Sequence, residues 1–117
     1  MESLEKNWQL KLDSWSVKNR IKNFISHYSY DEIDNVNIYR RGNIILYSFR
    51  VHPNTVFEPY SRIFSFPDFN FFNENIGSVD TGQFTIFSDI TKNSICHGSN
   101  ATITVSSFSH CFGVILI

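Results

Sequence analysis

Two cysteines and four histidines are the residues of this 117-residue chain best suited to metal binding or nucleophilic catalysis. Cys96-His97 and His110-Cys111 form a mirrored set, and zinc prefers such ligands. Neighbours on a strand point to opposite faces, so each pair offers one ligand to a shared site, and the spacing matches no zinc-finger pattern. We therefore expect no metal site and no cofactor. Cys111 should be buried in the core, with His97 and His110 at turns or strand ends.

A thiol nucleophile is the second possibility, in which Cys96 or Cys111 acts with His27, His52, His97 or His110. This chemistry needs a thiolate next to a base. The chain carries no local signature of a cysteine enzyme, no Gly-x-Ser-x-Gly elbow and no glycine-rich phosphate loop. We expect no catalytic residues and keep a thiol-dependent enzyme as the third alternative.

The basic residues concentrate in the first half of the chain, where Tyr39 and Tyr47 could supply stacking: Lys18, Arg20, Lys22, Arg40 and Arg41. Proteins that bind single strands combine such charges with aromatic rings. The net charge is −1, however, so no basic field attracts nucleic acid or an anionic membrane. We expect a solvated basic face and no nucleic-acid binding. The adjacent acids Asp31, Glu32 and Asp34 are expected in a solvated turn.

An acidic and aromatic segment, residues 68–89, is the candidate binding surface. It contains no basic residue, and the six side chains expected to contact a partner are Asp68, Phe69, Phe72, Glu74, Asp80 and Asp89. Aromatic side chains anchor protein interfaces, and carboxylates steer a basic partner towards them. The alternative is that the phenylalanines fold back into the core and the acids merely solvate a loop.

The pattern of apolar residues predicts one helix followed by strands. Val17, Ile21, Phe24, Ile25 and Tyr28 recur at helical spacing, which predicts a helix over residues 15–28. Alternation predicts strands at 36–39, 44–51, 60–66, 83–90, 101–108 and 112–117, with a tight turn at 41–43 joining the first two into a hairpin. The expected fold class is α+β, with one N-terminal helix packed on a mostly antiparallel sheet of five or six strands.

The last strand, residues 112–117, is apolar and uncharged. Such a segment on an exposed edge templates aggregation. We expect it either at the centre of the sheet or paired with a second copy of the chain. In the second case Val114, Ile115, Leu116 and Ile117 form the self-association surface of a homodimer.

Length and composition indicate a single globular domain spanning residues 1–117. Apolar residues make up 42% of the chain, which argues against disorder. No apolar stretch approaches the roughly 18 residues that span a bilayer, and the first residues lack the pattern of a signal peptide. We therefore expect a cytoplasmic protein with reduced thiols that does not contact a membrane.

The chain resembles, in general type, the bacterial immunity proteins that protect against contact-dependent growth-inhibition toxins. The resemblance comprises the size, the abundance of Phe, Ile and Asn, the early basic residues, the later acidic aromatic segment and the lack of a catalytic signature. It implies a non-enzymatic inhibitor that binds one cognate toxin domain tightly and stoichiometrically, and a basic nuclease domain would fit the acidic segment. The alternative from a different class is a small structural or host-interaction protein of a virus or mobile element.

Overall fold

The computed structural model describes residues 19–71, 79–80 and 82–117, and this part of the chain is built from β-strands. The strands in chain order are β1 (Ile25–Ser26), β2 (Ile33–Arg41), β3 (Ile44–Val51), β4 (Val56–Phe57), β5 (Arg62–Ser65), β6 (Val79–Asp80), β7 (Thr85–Asp89), β8 (Ser94–His97), β9 (Ile103–Thr104) and β10 (Ser109–Leu116). All of their pairings are antiparallel.

The strands form three sheets around one core. A five-stranded sheet has the order β1-β5-β8-β7-β6, a three-stranded sheet the order β10-β3-β2, and β4 pairs with β9. The two larger sheets meet where β6 lies beside β10. On the other side, Arg20 forms a bridge with Tyr39 of β2, only a few residues before β1 begins. Both sheets therefore contribute to a single core, which includes Phe49, Phe64 and Ile95.

The hairpin of β2 and β3 confirms the predicted turn. Gly42 has a φ of 62°, the left-handed conformation that glycine adopts without strain. From this turn the register runs regularly as far as Asn37 opposite Ser48, and then β2 contains one extra residue before Asp34 lies opposite Arg50. This bulge falls at Asn35, whose φ is 52°, and it sets the direction of the side chains that follow.

The predicted helix over residues 15–28 is wrong in its described part, and with it the α+β fold class. Residues 15–18 lie outside the described residues, and the ranges 19–71, 79–80 and 82–117 contain no α-helix. Ile21 donates its N–H to the carbonyl of Ile38, and β1 pairs with β5. The apolar side chains of this segment still pack on the core, but the backbone hydrogen bonds go to neighbouring strands. Tertiary pairing overrides a weak local helix preference here.

The predicted C-terminal strand exists but is not central. β10 pairs with β3 and, within the described ranges, lies at the end of its sheet. Ile115 is fully buried in the core, whereas Val114, Leu116 and Ile117 are half-buried. The self-association surface can therefore include Val114, Leu116 and Ile117, but not the Ile115 side chain. Among the residues that the structure describes, none forms a helix long and apolar enough to cross a membrane.

Candidate functional site

The aromatic part of the acidic segment folds onto the protein. Phe69 is half-buried and stacks on Phe66 with ring centroids 5.3 Å apart, and Phe71 is buried beside them. The Asn93 amide holds this stretch by donating to the Phe66 and Phe69 carbonyls and accepting from the Phe71 N–H at 2.9 Å. Phe69 therefore offers only part of its ring to a partner. Phe72 lies outside the described residues.

The acids of the same segment do not form one cluster. Asp68 is exposed and accepts a hydrogen bond from the Asn23 amide at 2.9 Å. Asp80 lies opposite Thr85 at one end of β7, whereas Asp89 is the last residue of that strand, about 13 Å further along. Glu74 lies outside the described residues.

Asp89 stabilises its own turn. Its carboxylate accepts hydrogen bonds from the Thr91 N–H at 2.9 Å and the Thr91 hydroxyl at 2.6 Å. Partial burial raises the pKa of Asp89, but these hydrogen bonds outweigh it and hold the pKa below its usual range. The carboxylate is therefore engaged within the chain.

The two thiols are buried in different sheets. Cys96 lies in β8 and Cys111 in β10, and desolvation raises the pKa of Cys96 to about 11 and that of Cys111 to about 12. Burial thus disfavours the thiolate form of both side chains. Cys111 belongs to the core as predicted. In the described ranges, no three Cys, His, Asp or Glu side chains come together as a potential metal site.

His97 ends β8, as predicted, but it is fully buried. Its Nδ1 lies 3.0 Å from the Glu58 carbonyl oxygen, and its ring stacks on Phe57 with centroids 5.5 Å apart. His110 lies within β10 and is exposed. His97 therefore serves packing in the core.

A hydrogen-bonded chain of hydroxyls runs across β5 and β8. His27 Nε2 lies 2.7 Å from the Ser65 hydroxyl, which lies 2.8 Å from the Ser94 hydroxyl. Partial burial, with a smaller effect of Arg62, lowers the pKa of His27 and favours its neutral form. Within the part of the chain that the structure describes, no carboxylate orients this imidazole as in a catalytic triad. The chain of bonds ties strands together.

The strongest polar cluster is centred on Asp34, and we call Asp34, Arg50 and His52 the Asp34 network. The buried carboxylate accepts hydrogen bonds from Arg50 Nε at 2.8 Å and Nη2 at 2.7 Å. His52 Nε2 lies 2.8 Å from the same carboxylate. The Arg50 hydrogen bonds hold the pKa of Asp34 far below its usual range, because with the smaller contribution of His52 they outweigh desolvation. Such a two-pronged pairing fixes the guanidinium in one orientation.

Two exposed aromatic side chains adjoin this network, and we call Tyr30 and Phe108 the aromatic pair. The Phe108 ring lies 4.9 Å from the Arg50 guanidinium and 4.8 Å from the His52 ring. It is 54% exposed, and Tyr30 is 81% exposed. Tyr30 is close enough to Arg50 to contribute, after Asp34, to raising the pKa of the guanidinium. One water-exposed ring, that of Phe108, thus rests on a cation whose position is fixed, and the exposed Tyr30 is near enough to influence it.

A cavity of about 740 Å³, lined in part by Tyr30, lies on this side of the protein, and we call it the β2 cavity. It lies where the bulge of β2 faces the segment leading into β1. Its apolar lining includes Phe24, Ile33, Val36, Phe49 and Cys111, and its polar lining includes Arg20, Tyr30, Asn35, Asn37, Ser48 and His110. Bulges often occur next to functional sites because they redirect side chains.

The expected solvated turn at Asp31, Glu32 and Asp34 is wrong for Asp34, which is buried in β2, and the charge pattern therefore did not predict the Asp34 network. A signal was nevertheless present. The hairpin register counted from Gly42 places Arg50 opposite residue 35, within one position of Asp34. The bulge adds one residue to β2 and thereby brings Asp34, in place of residue 35, opposite Arg50. The hairpin register does not predict the position of Phe108, because Phe108 belongs to a different part of the chain.

Comparisons with protein-family models, curated proteins and solved structures find no significant match to this chain.

Proposed function

We propose that this protein is a non-enzymatic binding protein with a protein partner, of the immunity-protein type. It would neutralise one cognate toxin domain in the cytoplasm by tight, stoichiometric binding. The observation that supports this most is the exposed Phe108 ring on the fixed Arg50 guanidinium, with the exposed Tyr30 nearby. Tyr, Trp and Arg dominate the binding energy of protein interfaces, where they form a compact group that loses water on contact.

The Asp34 network makes this surface suitable for tight binding. Arg50 is already held by the two-pronged contact with Asp34, so a partner does not have to immobilise it. Phe108 has only two side-chain torsions and rests on Arg50 and His52. Rigid groups lose little conformational entropy on binding, which leaves more of the interaction energy as affinity.

The acidic segment would have a different role in this proposal. If the partner is a basic nuclease domain, exposed carboxylates accelerate association without supplying most of the affinity. Asp68 is exposed and suited to this role, whereas Asp89 is engaged in its own turn. Phe69, Phe72, Glu74 and Asp80 remain proposed contacts of the same partner.

Alanine at Tyr30 or Phe108 is expected to weaken partner binding at least about tenfold, which corresponds to about 1.4 kcal/mol. The protein would be co-expressed with the product of the adjacent gene, scoring relief of growth arrest, and the complex titrated by calorimetry. Both side chains are exposed, so the fold should persist. Ile90→Ala is the matched control, because Ile90 is 41% exposed and lies in the turn after Asp89.

Two outcomes would redirect the proposal. If Ile90→Ala or Asp68→Lys abolishes binding while both aromatic variants bind normally, the acidic segment is the anchoring surface. If no adjacent gene product forms a stoichiometric complex, the immunity function is rejected.

A homodimer is a further part of the proposal and rests on the position of β10. In 19–71, 79–80 and 82–117, no strand pairs with the side of β10 that faces away from β3. Gln83 holds the start of this strand through a side-chain bond to Ser109. Pairing of two copies would therefore use the second half, near Val114 and Leu116. A closed two-fold pair stops at two chains. A larger symmetric assembly would instead favour the structural protein of a virus or mobile element.

Lysines at Val114 and Leu116 together should convert the dimer into a folded monomer. The charged side chains oppose pairing of an edge strand but do not enter the core. Light scattering measures the mass, and circular dichroism reports the fold. Ile115→Lys is the contrasting variant and should unfold the chain, because Ile115 is fully buried. A wild-type protein that is monomeric at every concentration contradicts the dimer.

A further inference from the structure

The β2 cavity combines an apolar floor with one cation at its rim. Phe24 and Val36 pack against the core beside Phe49, so the floor is continuous with the hydrophobic interior. Its volume of about 740 Å³ lies within the range of cavities that hold small organic molecules. A ligand seated there would have a ring or a branched chain against these side chains.

Arg20 is the cation at the rim, and it is held in place without a carboxylate. Its Nη2 donates to Asn37 Oδ1 at 2.6 Å and to the Val36 carbonyl at 3.3 Å. The guanidinium carbon lies 5.9 Å from the centroid of the Tyr39 ring. In the part of the chain that the structure describes, Arg20 makes no ion pair, whereas Arg50 is neutralised by Asp34.

These contacts leave the guanidinium ready to bind an anion. Arginine carries five N–H donors in a planar fork, and the hydrogen bonds of Arg20 to Val36 and Asn37 both come from a single nitrogen, Nη2. A carboxylate can accept two parallel hydrogen bonds from the remaining donors. Because neutral groups of the chain already orient Arg20, the ligand would supply the missing negative charge.

We propose that the β2 cavity binds a small aromatic carboxylic acid. The carboxylate pairs with Arg20, and the ring packs among Phe24, Tyr28 and Phe49. Aromatic rings pack favourably on one another in offset or edge-to-face arrangements, which favours a ring over an aliphatic chain of equal area. An amine of the same shape would place a second positive charge beside Arg20. Tyr30 lines this cavity, whereas Phe108, the other proposed partner contact, does not.

The test titrates the native protein with 3-phenylpropionate, 3-phenylpropylamine, 3-phenylpropanol and propionate, followed by amide chemical shifts and melting temperature. We expect saturable binding of the aromatic acid, with shifts at residues 33–37. The alcohol and the amine should bind at least about tenfold more weakly. Propionate, which lacks the ring, should not saturate below about 10 mM.

Two variants test whether the carboxylate of the ligand pairs with Arg20. Arg20→Gln should weaken binding of the aromatic acid about tenfold and leave the alcohol unchanged. Arg62→Gln, another exposed arginine, should change neither. If Arg20→Gln does not fold, the comparison of acid with amine on the native protein still decides. No saturable binding of the acid, or equal affinity for acid and amine, overturns the proposal.

Discussion

Asp34→Asn is expected to lower the free energy of unfolding by about 2 kcal/mol. The wild-type carboxylate accepts two hydrogen bonds from Arg50 and approaches His52 Nε2 at 2.8 Å. An amide has one oxygen, and its NH₂ group would face the Arg50 donors. In a domain of this size the change corresponds to a melting temperature lower by about 8 °C. Thermal unfolding at neutral pH measures it.

In the same variant the free energy of unfolding should fall less steeply as the pH is lowered. The pKa of Asp34 in the folded protein lies below its value of about 4 in the unfolded chain. Above pH 4 or so the carboxylate is charged in both states, and its full stabilisation is present. As the pH falls below about 4, the unfolded chain takes up the proton first, and the stabilisation is lost. The difference between wild type and Asp34→Asn should therefore be largest at neutral pH and shrink in acid.

Asp31→Asn is the matched control, since this exposed aspartate lies three residues away and outside the Asp34 network. It should change the melting temperature by less than about 2 °C. A pH-independent difference between wild type and Asp34→Asn would show that the carboxylate charge does not stabilise the fold. In that case the Asp34 charge would not hold in place the Arg50 side chain on which Phe108 rests.

Gly113→Ala is expected to destabilise the protein by about 3 kcal/mol. Gly113 in β10 lies directly opposite Tyr47 in β3, and a Cβ atom there would collide with the far end of the Tyr47 ring. The ring cannot move aside easily, because Tyr47 is fully buried and stacks on Phe49. Chemical denaturation monitored by circular dichroism measures the loss.

A double-mutant cycle isolates this contact. Tyr47→Leu removes the phenol end of the ring, so in that background Gly113→Ala should cost less than about 1 kcal/mol. Gly98→Ala is the milder comparison, because its Cβ would lie 3.3 Å from Thr85 Cγ2 and 3.3 Å from the Thr85 carbonyl oxygen, contacts that are tight but longer than those to the Tyr47 ring. Equal costs for Gly113→Ala in both backgrounds would mean that strand geometry, and not Tyr47, excludes the side chain.

Composition predicts the charge of the acidic segment but not the burial of its aromatic side chains. Residues 68–89 lack basic residues, and this property of the sequence is independent of the fold. Whether the aromatics face water depends on Asn93, whose side chain holds residues 66, 69 and 71 against the core. Alternation and charge do not indicate such a contact, because it joins a loop to a turn more than 20 residues later.

The sequence by itself determined the elements whose causes are local. The β2–β3 hairpin follows from alternation and from Gly42, and Cys111, which directly precedes the apolar strand predicted at residues 112–117, is buried as expected. Both depend on residues close together in the chain, where side-chain periodicity is decisive.

Only the tertiary structure decided the state of residues 19–28 and the assembly of the candidate site. The apolar spacing of Ile21, Phe24 and Tyr28 suits either a helix or an irregular segment packed on a core, and backbone pairing with β2 and β5 selects the latter. Phe108 reaches Arg50 because the segment before β10 lies against the end of β3. Contacts between distant residues depend on how the sheets close around the core, and local patterns carry no information about that closure.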